Sequence, residues 1–336
     1  MKNNILKELF PRFSNETPGI AVLIEKAGKV IVKDCLGISN LETQKSITSS
    51  TAFRLASLTK PFTAMAIMIL KEMGQLNFDD KLSLFFPKFP AYGKNITIRQ
   101  LLTHTSGLPD HEAPLYKKIN KGDEPTIYNA LEVLSQEKKL LFKSGTRYTY
   151  SDSGFVILAL IIEKVSCLTY SKFLNKYIFK PLQMENTVVF DETKPTIPNR
   201  AYGYRRKNNQ WELYDYDPLN YIVGDEGIYS TISDLEKWNQ CWVKNILVSN
   251  KTLAEALTPA KLNTGFLSRC GFSWFIDEKN GRKIIFQTGS WVGFNNIMLT
   301  NIKTNTTIIV LSNTTSFPTE KDKVNLALTI LKEINC

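Results

Sequence analysis

At 336 residues, with 43% hydrophobic and 22% charged side chains, the chain has the composition of an ordinary soluble globular protein with one large or two smaller domains. Its net charge of +10 at pH 7 comes with no nucleic-acid motif, so the basic clusters at Lys117-Lys118 with Lys121 and at Arg205-Arg206-Lys207 read as solvated surface. Residues 1–9 lack the apolar run of a signal peptide, and no segment qualifies as a membrane span. The five scattered cysteines (Cys35, Cys167, Cys241, Cys270, Cys336), with no Cys-x-x-Cys, suit reduced thiols in a cytosol rather than a disulfide framework or zinc site.

In chain order, residues 19–25 read as a strand, Ala27-Gly28 as a turn and residues 29–35 as the returning strand. A helix is expected from Ser57, a good N-cap type, with Pro61 tolerable in its first turn and Gly74 closing it. Pro61 to Leu70 carries no charge and is apolar nearly all round, which predicts a buried helix. Residues 85–90 read as loop and 98–102 as a short helix ended by His104-Thr105-Ser106-Gly107-Leu108-Pro109; residues 126–140, 155–166 and 170–179 have helical spacing. A polar, aromatic loop is expected over 200–218 and a helix near 233–238. Strands return at 272–276 and 283–286, flanking Asn280-Gly281, and again at 296–299 and 307–311, before an amphipathic helix over 321–334.

Strands at both ends and helices in the middle predict an α+β fold, an α/β sandwich in which one antiparallel sheet from both chain ends is flanked by helices. The corresponding domains are a discontinuous sandwich, 1–75 with 221–336, and a mostly helical domain, 76–220, with the active site between them.

Ser57 and Lys60, three apart, share one face at a helix N-terminus, where free N–H groups and the dipole favour a developing oxyanion. A serine nucleophile with a lysine one turn on is a plausible catalytic pair. The spacing alone is unspecific, because Ser135 and Lys138 repeat it on what reads as the polar side of a surface helix. Two further stretches matter: Tyr148-Thr149-Tyr150-Ser151-Asp152-Ser153-Gly154, leading into an apolar helix, and Gln287-Thr288-Gly289-Ser290, where a strand breaks into glycines.

Ser-x-x-Lys, Tyr-x-Asn and Lys-Thr-Gly or His-x-Gly, in that order, mark the serine β-lactamase and penicillin-binding protein superfamily. The chain resembles its class C β-lactamase, D-aminopeptidase and carboxylesterase branch over roughly residues 15–334. The segments Leu101-Leu102-Thr103-His104-Thr105-Ser106-Gly107-Leu108-Pro109 and Gly224-Asp225-Glu226-Gly227-Ile228-Tyr229-Ser230-Thr231 are similar to hallmarks of that branch.

The resemblance implies a β-lactamase/transpeptidase-like fold with Ser57 as the acylated nucleophile, Lys60 assisting proton removal and Tyr150 approaching both. It implies an oxyanion hole from the N–H groups of Ser57 and Ser290, substrate contacts from Asp152, Gln287, Thr288 and Gly289, and a cleft-lining Tyr204. A phenol is ordinarily a poor base, and the neighbouring ammonium is expected to lower the pKa of Tyr150. Only His104 and His111 are available for a Ser-His-Asp triad and no Gly-x-Ser-x-Gly elbow is present; His104 reads as structural, tying down the turn before Gly107.

Asp152 stands where asparagine is usual and Gln287 where lysine or histidine is usual. The first adds −1 and the second removes +1, leaving the site more negative by two units. Asp152 is expected to help keep Lys60 protonated, and carboxylate-bearing substrates are expected to be poor. The reading is a cytoplasmic serine hydrolase acting through an acyl-enzyme on a small ester or amide. The alternatives are a true β-lactamase or D-amino-acid peptidase, and a non-catalytic scaffolding member of the fold. No metal or organic cofactor and no nucleic-acid partner is expected, and the sequence leaves the natural substrate and oligomeric state open.

Overall fold

The computed structural model describes residues 10–11, 13–279, 282–315 and 319–335. Near the start, β1 (Ile20–Lys26) and β2 (Lys29–Leu36) form a hairpin. Its turn residues Ala27 and Gly28 both take positive φ, the geometry that follows the twist of the strands. Two helices dominate what comes between the strands: α1 (Lys60–Glu72) and α2 (Asp152–Ser166). Four strands follow, β3 (Phe275–Lys279), β4 (Arg282–Trp291), β5 (Phe294–Asn301) and β6 (Thr306–Ser312), and then α3 (Glu320–Asn335). Asn280-Gly281 lies outside the described residues, and the strands beside it pair from Lys279 with Arg282.

The six strands form one antiparallel sheet in the order β3-β4-β5-β6-β1-β2, so the two ends of the chain meet where Ile20 pairs with Ser312. On β1, Ala21 and Leu23 face a core shared with α1, while Ile20, Val22 and Ile24 face a second core built with Ala327, Ile330 and Leu331 of α3. Coverage on both faces explains why β1 reads as an unbroken apolar run rather than an alternating one. Every residue of α1 from Lys60 to Leu70 is buried, and Phe62 stacks on Trp238 at 3.8 Å between ring centroids. An α1 with a polar face would have nowhere to put it, since α2 packs along it and the rest of its surface lies in the shared core.

Between residues 76 and 220 most of the regular elements are helices, joined by long loops, and they include Ile98–Leu102, Glu112–Lys118, Ile127–Gln136 and Tyr170–Leu174. Val188–Val189 ties it back to the rest through a small sheet with Ile228–Ser230 and Phe53–Arg54. The expected loop at 200–218 holds a hairpin, Tyr204–Lys207 against Gln210–Leu213. Asn208 and Asn209 turn it at positive φ, a conformation asparagine tolerates better than most residues. Among the described residues no single helix is long and apolar enough to cross a membrane, and Cys35, Cys167, Cys241 and Cys270 are free thiols.

Candidate active site

Ser57 does not cap α1. The chain first makes one tight 3-10 turn, Ala56–Thr59, and α1 begins only at Lys60. Ala56 takes a φ of +52°, a left-handed conformation that is strained for a residue with a side chain. The surroundings hold it there. Asn296, buried on β5, donates its amide to the carbonyls of Arg54 (2.9 Å) and Leu55 (3.2 Å) and accepts the N–H of Ser312 at 3.2 Å. On β4, a Cβ at Gly289 would sit 2.1 Å from the Leu55 carbonyl oxygen and 3.2 Å from the Leu58 nitrogen, so the strand can lie this close to the turn only as glycine.

Lys60 is fully buried and its ammonium has three acceptors for its three protons. It donates to Ser57 Oγ at 3.0 Å and to the Asp225 carbonyl at 3.1 Å, and pairs with Asp152 Oδ1 at 2.6 Å. Burial alone would pull the pKa of Lys60 down; Asp152, Tyr150 and Asp225 together outweigh it and hold the group well above its ordinary value. Burial acts on Asp152 in the opposite sense, but the Lys60 charge wins and keeps the carboxyl below its usual range. Asp152 opens α2, whose start is capped by the Ser151 hydroxyl accepting the Gly154 N–H at 3.2 Å.

Tyr150 stands beside Lys60 and lines the same cavity as Ser57, with the Lys60 ammonium 5.0 Å from its ring centroid. Its pKa goes up, not down as the sequence led us to expect. Burial is the largest influence, and the neighbouring ammonium offsets only part of it. Tyr150 therefore rests as a neutral phenol. His104 lies flat against it, rings 4.5 Å apart, accepts the Ser151 N–H at Nδ1 (3.0 Å) and accepts the Thr149 N–H at its carbonyl (3.0 Å). Burial and Lys60 push His104 down to about 3, so it stays neutral. Beyond tying down a turn, it grips residues 149–151 and orients the phenol.

A cavity of about 600 Å³ opens onto Ser57, Tyr150, Asp152, Thr288 and Ser290, with Phe275, Phe286 and Trp291 as apolar walls. Glu112, Glu226 and Glu320 also reach it, none of them singled out by the sequence. Among the described residues, His111, Glu112 and Asp225 bring one ligand atom each within 4.8 Å of one another, a donor set able to hold a divalent cation.

The Beta-lactamase family model matches residues 6–331. The chain belongs to that family. It is similar to penicillin-binding protein 4* of Bacillus subtilis (strain 168), 31% identical over 306 residues covering 87% of this chain and 67% of the relative. To protein flp of Staphylococcus aureus (strain MW2) it is 28% identical over 89% of this chain and 60% of the relative, so it spans about two thirds or less of these curated relatives. Among solved structures, the octameric penicillin-binding protein homologue of Pyrococcus abyssi superposes with a TM-score of 0.83, 26% identity, 98% of this chain and 76% of that one. The D-amino acid amidase of Ochrobactrum anthropi SV3 superposes with a TM-score of 0.81 over 99% of this chain and 98% of that one, at 22% identity. The fold is thus β-lactamase/transpeptidase-like, and the family is one of serine hydrolases.

Within this family's motif positions, the structure brings Ser57, Lys60, Tyr150 and Asp152 together and runs Thr288, Gly289 and Ser290 past them on β4. It does not bring Gln287 or Tyr204 to the cavity. Alternate residues of β4 (Phe286, Thr288, Ser290) line it, so Gln287 points to the opposite face. There its amide donates to the Ser273 carbonyl at 2.8 Å and accepts the Thr288 N–H at 3.0 Å. Tyr204 is buried in the 204–213 hairpin, its hydroxyl accepting the Leu41 N–H at 2.8 Å. The second Ser-x-x-Lys is inert in this arrangement: Ser135 bonds back to the Leu131 carbonyl at 2.7 Å within its own helix.

Proposed function

We propose that this protein opens a small, neutral ester or amide through an acyl-Ser57 intermediate. The observation that carries the reading is Ser57 Oγ held 3.0 Å from the buried Lys60 ammonium, at the wall of a cavity that Tyr150 also lines. Ser57 Oγ attacks the acyl carbon as its proton passes to the Tyr150 oxygen. Tyr150 hands its own proton to the leaving oxygen or nitrogen, the old acyl bond breaks, and the alcohol or amine departs. A neutral phenol suits this exchange, because it starts and ends protonated. Lys60 stays charged and steadies the negative charge that develops between the two oxygens. The backbone N–H groups of Ser57 and Ser290 take the oxyanion. Water then repeats the sequence and frees Ser57. No step uses the His111, Glu112 and Asp225 cluster.

A second reading, an amidase for substrates carrying a free amino group, is favoured by Glu112. This carboxyl reaches the cavity with no ion-pair partner among the described residues. A fluorophosphonate probe followed by intact-protein mass spectrometry tests both. One adduct on Ser57, absent in Ser57→Ala, supports the acyl-enzyme; no adduct on a folded protein leaves the scaffolding alternative standing. Matched esters and amides, with and without an amino group, then separate the two substrate readings.

A further inference from the structure

We propose that Glu320 occupies an anion-holding subsite made by Thr288, Ser290 and Lys323, so that the protein's own carboxylate fills the place a substrate carboxylate would take. This rests on the hydrolase reading above for its meaning, though not for its test. Lys323, on α3, is 2% exposed, and its ammonium lies directly behind Ser290 and Glu320, which line the cavity. It donates to Ser290 Oγ at 2.5 Å, to Glu320 Oε1 at 2.6 Å and to Asn295 Oδ1 at 3.2 Å. Ser290 donates its own hydrogen bond to Glu320 Oε1 at 2.5 Å, and the nearby Thr288 hydroxyl helps to keep that carboxylate charged. One carboxylate thus gathers an ammonium and two hydroxyls, the donor set by which proteins recognise carboxylates.

The donors and the occupant differ in burial and support. Lys323 is locked in, and Thr288 and Ser290 belong to a paired strand. Glu320 stands in the first turn of α3 with its side chain 55% exposed. Burial works against its ionisation, but Lys323 and the hydrogen bonds prevail and keep it charged. Withdraw this carboxylate and the cavity-lining residues Thr288 and Ser290 are left with a buried ammonium behind Ser290, one residue past the glycine that abuts the Ser57 turn. A substrate with an anionic group near its acyl carbon would meet that subsite. In the basic cluster at 205–207, Arg205 and Lys207 are paired with Glu212 at 3.1 and 3.7 Å and Arg206 stands 5.9 Å over the Trp211 ring. The cation missing at Gln287 has therefore been supplied from another part of the chain and neutralised in place.

The test compares p-nitrophenyl butyrate with mono-p-nitrophenyl glutarate at constant ionic strength, in wild type, Glu320→Ala and Glu320→Ala/Lys323→Met. Glu320→Ala should raise the ratio of kcat/KM for the anionic over the neutral ester by roughly tenfold or more, the scale of one charge-assisted hydrogen bond. The double variant should return the ratio to the wild-type value. An unchanged ratio in Glu320→Ala with a native circular dichroism spectrum, or a gain that survives in the double variant, overturns the proposal. Glu320→Gln serves in the same comparison should the alanine variant fold poorly. Calorimetric titration of glutarate into the same proteins carrying Ser57→Ala separates this inference from the hydrolase reading. If no variant cleaves either ester, Lys323-dependent glutarate binding still upholds the subsite, and its absence refutes it.

Discussion

Two clusters of serine, lysine and carboxylate border one cavity. In the first, Lys60 reaches Ser57 Oγ at 3.0 Å and Asp152 at 2.6 Å. In the second, Lys323 reaches Ser290 Oγ at 2.5 Å and Glu320 at 2.6 Å. By their contacts the pairs are near twins, and the surroundings decide which serine can react. Ser290 donates its hydrogen bond to Glu320 and sits in the paired end of β4, opposite Asn295. Ser57 accepts from Lys60 in a strained 3-10 turn, with Tyr150 beside it to exchange protons. A serine touching a lysine is therefore a poor criterion for a nucleophile. Where the serine's proton can go, and whether free amides await the oxyanion, count for more.

The sharpest way to break this contrast is to remove each hydroxyl in turn. Ser57→Ala should lower kcat/KM on a small chromogenic ester by about 10³-fold or more, while Ser290→Ala, which forfeits one hydrogen bond, should cost about tenfold or less. Equal losses would mean that the two clusters are not functionally distinct.

Next in size is Gly289→Ala. Its methyl group would press on the Leu55 carbonyl and push β4 off the Ser57 turn. A displacement on the order of 1 Å costs about 10²-fold in rate. Rates should fall far more than stability, measured by thermal melting, because the strand keeps its other pairings; a variant with near-wild-type kcat/KM would show that the close approach is incidental.

The smallest expected effect concerns Glu112. Burial first, then Asp152 and Asp110, raise its pKa from 4.5 to about 7, against a smaller pull from Lys60. A raised carboxyl stabilises the fold fully below its unfolded pKa and loses that contribution as pH rises through about 7. Glu112→Gln, which cannot ionise, should therefore narrow the drop in Tm between pH 5 and pH 8. An identical drop in both proteins would remove Glu112 from the pH response.

What the sequence disclosed was local or ordered along the chain. The first hairpin, the apolar α1 and the late strands carry short-range signals, and the succession of Ser57, Tyr150 and Gly289 motifs points to the family. What it concealed depends on how distant segments meet. Gln287 and Thr288 differ only in strand parity, and which of them faces the cavity is set by the pairing of β4 with β5. Lys323 and Glu320 lie in a helix whose amphipathic pattern gives no hint that its first turn borders β4. The pKa of Tyr150 was misjudged because charge could be read from the motif whereas burial under His104 could not. The 204–213 hairpin did carry a signal, Asn208-Asn209, which the polar composition of the segment masked.

The closure of the sheet through Ile20 and Ser312 has a consequence for biosynthesis. The β1–β2 hairpin emerges early from the ribosome with one edge open, and the apolar run of β1 stays without its second neighbour until β6 has been made. Such an edge invites pairing with other nascent chains during that interval. Asn296, which anchors the Ser57 turn, also arrives on a late strand. Active protein should accumulate at a pace set by this long-range closure rather than by formation of the turn itself, and slower translation or chaperone cover of the early hairpin should raise the yield.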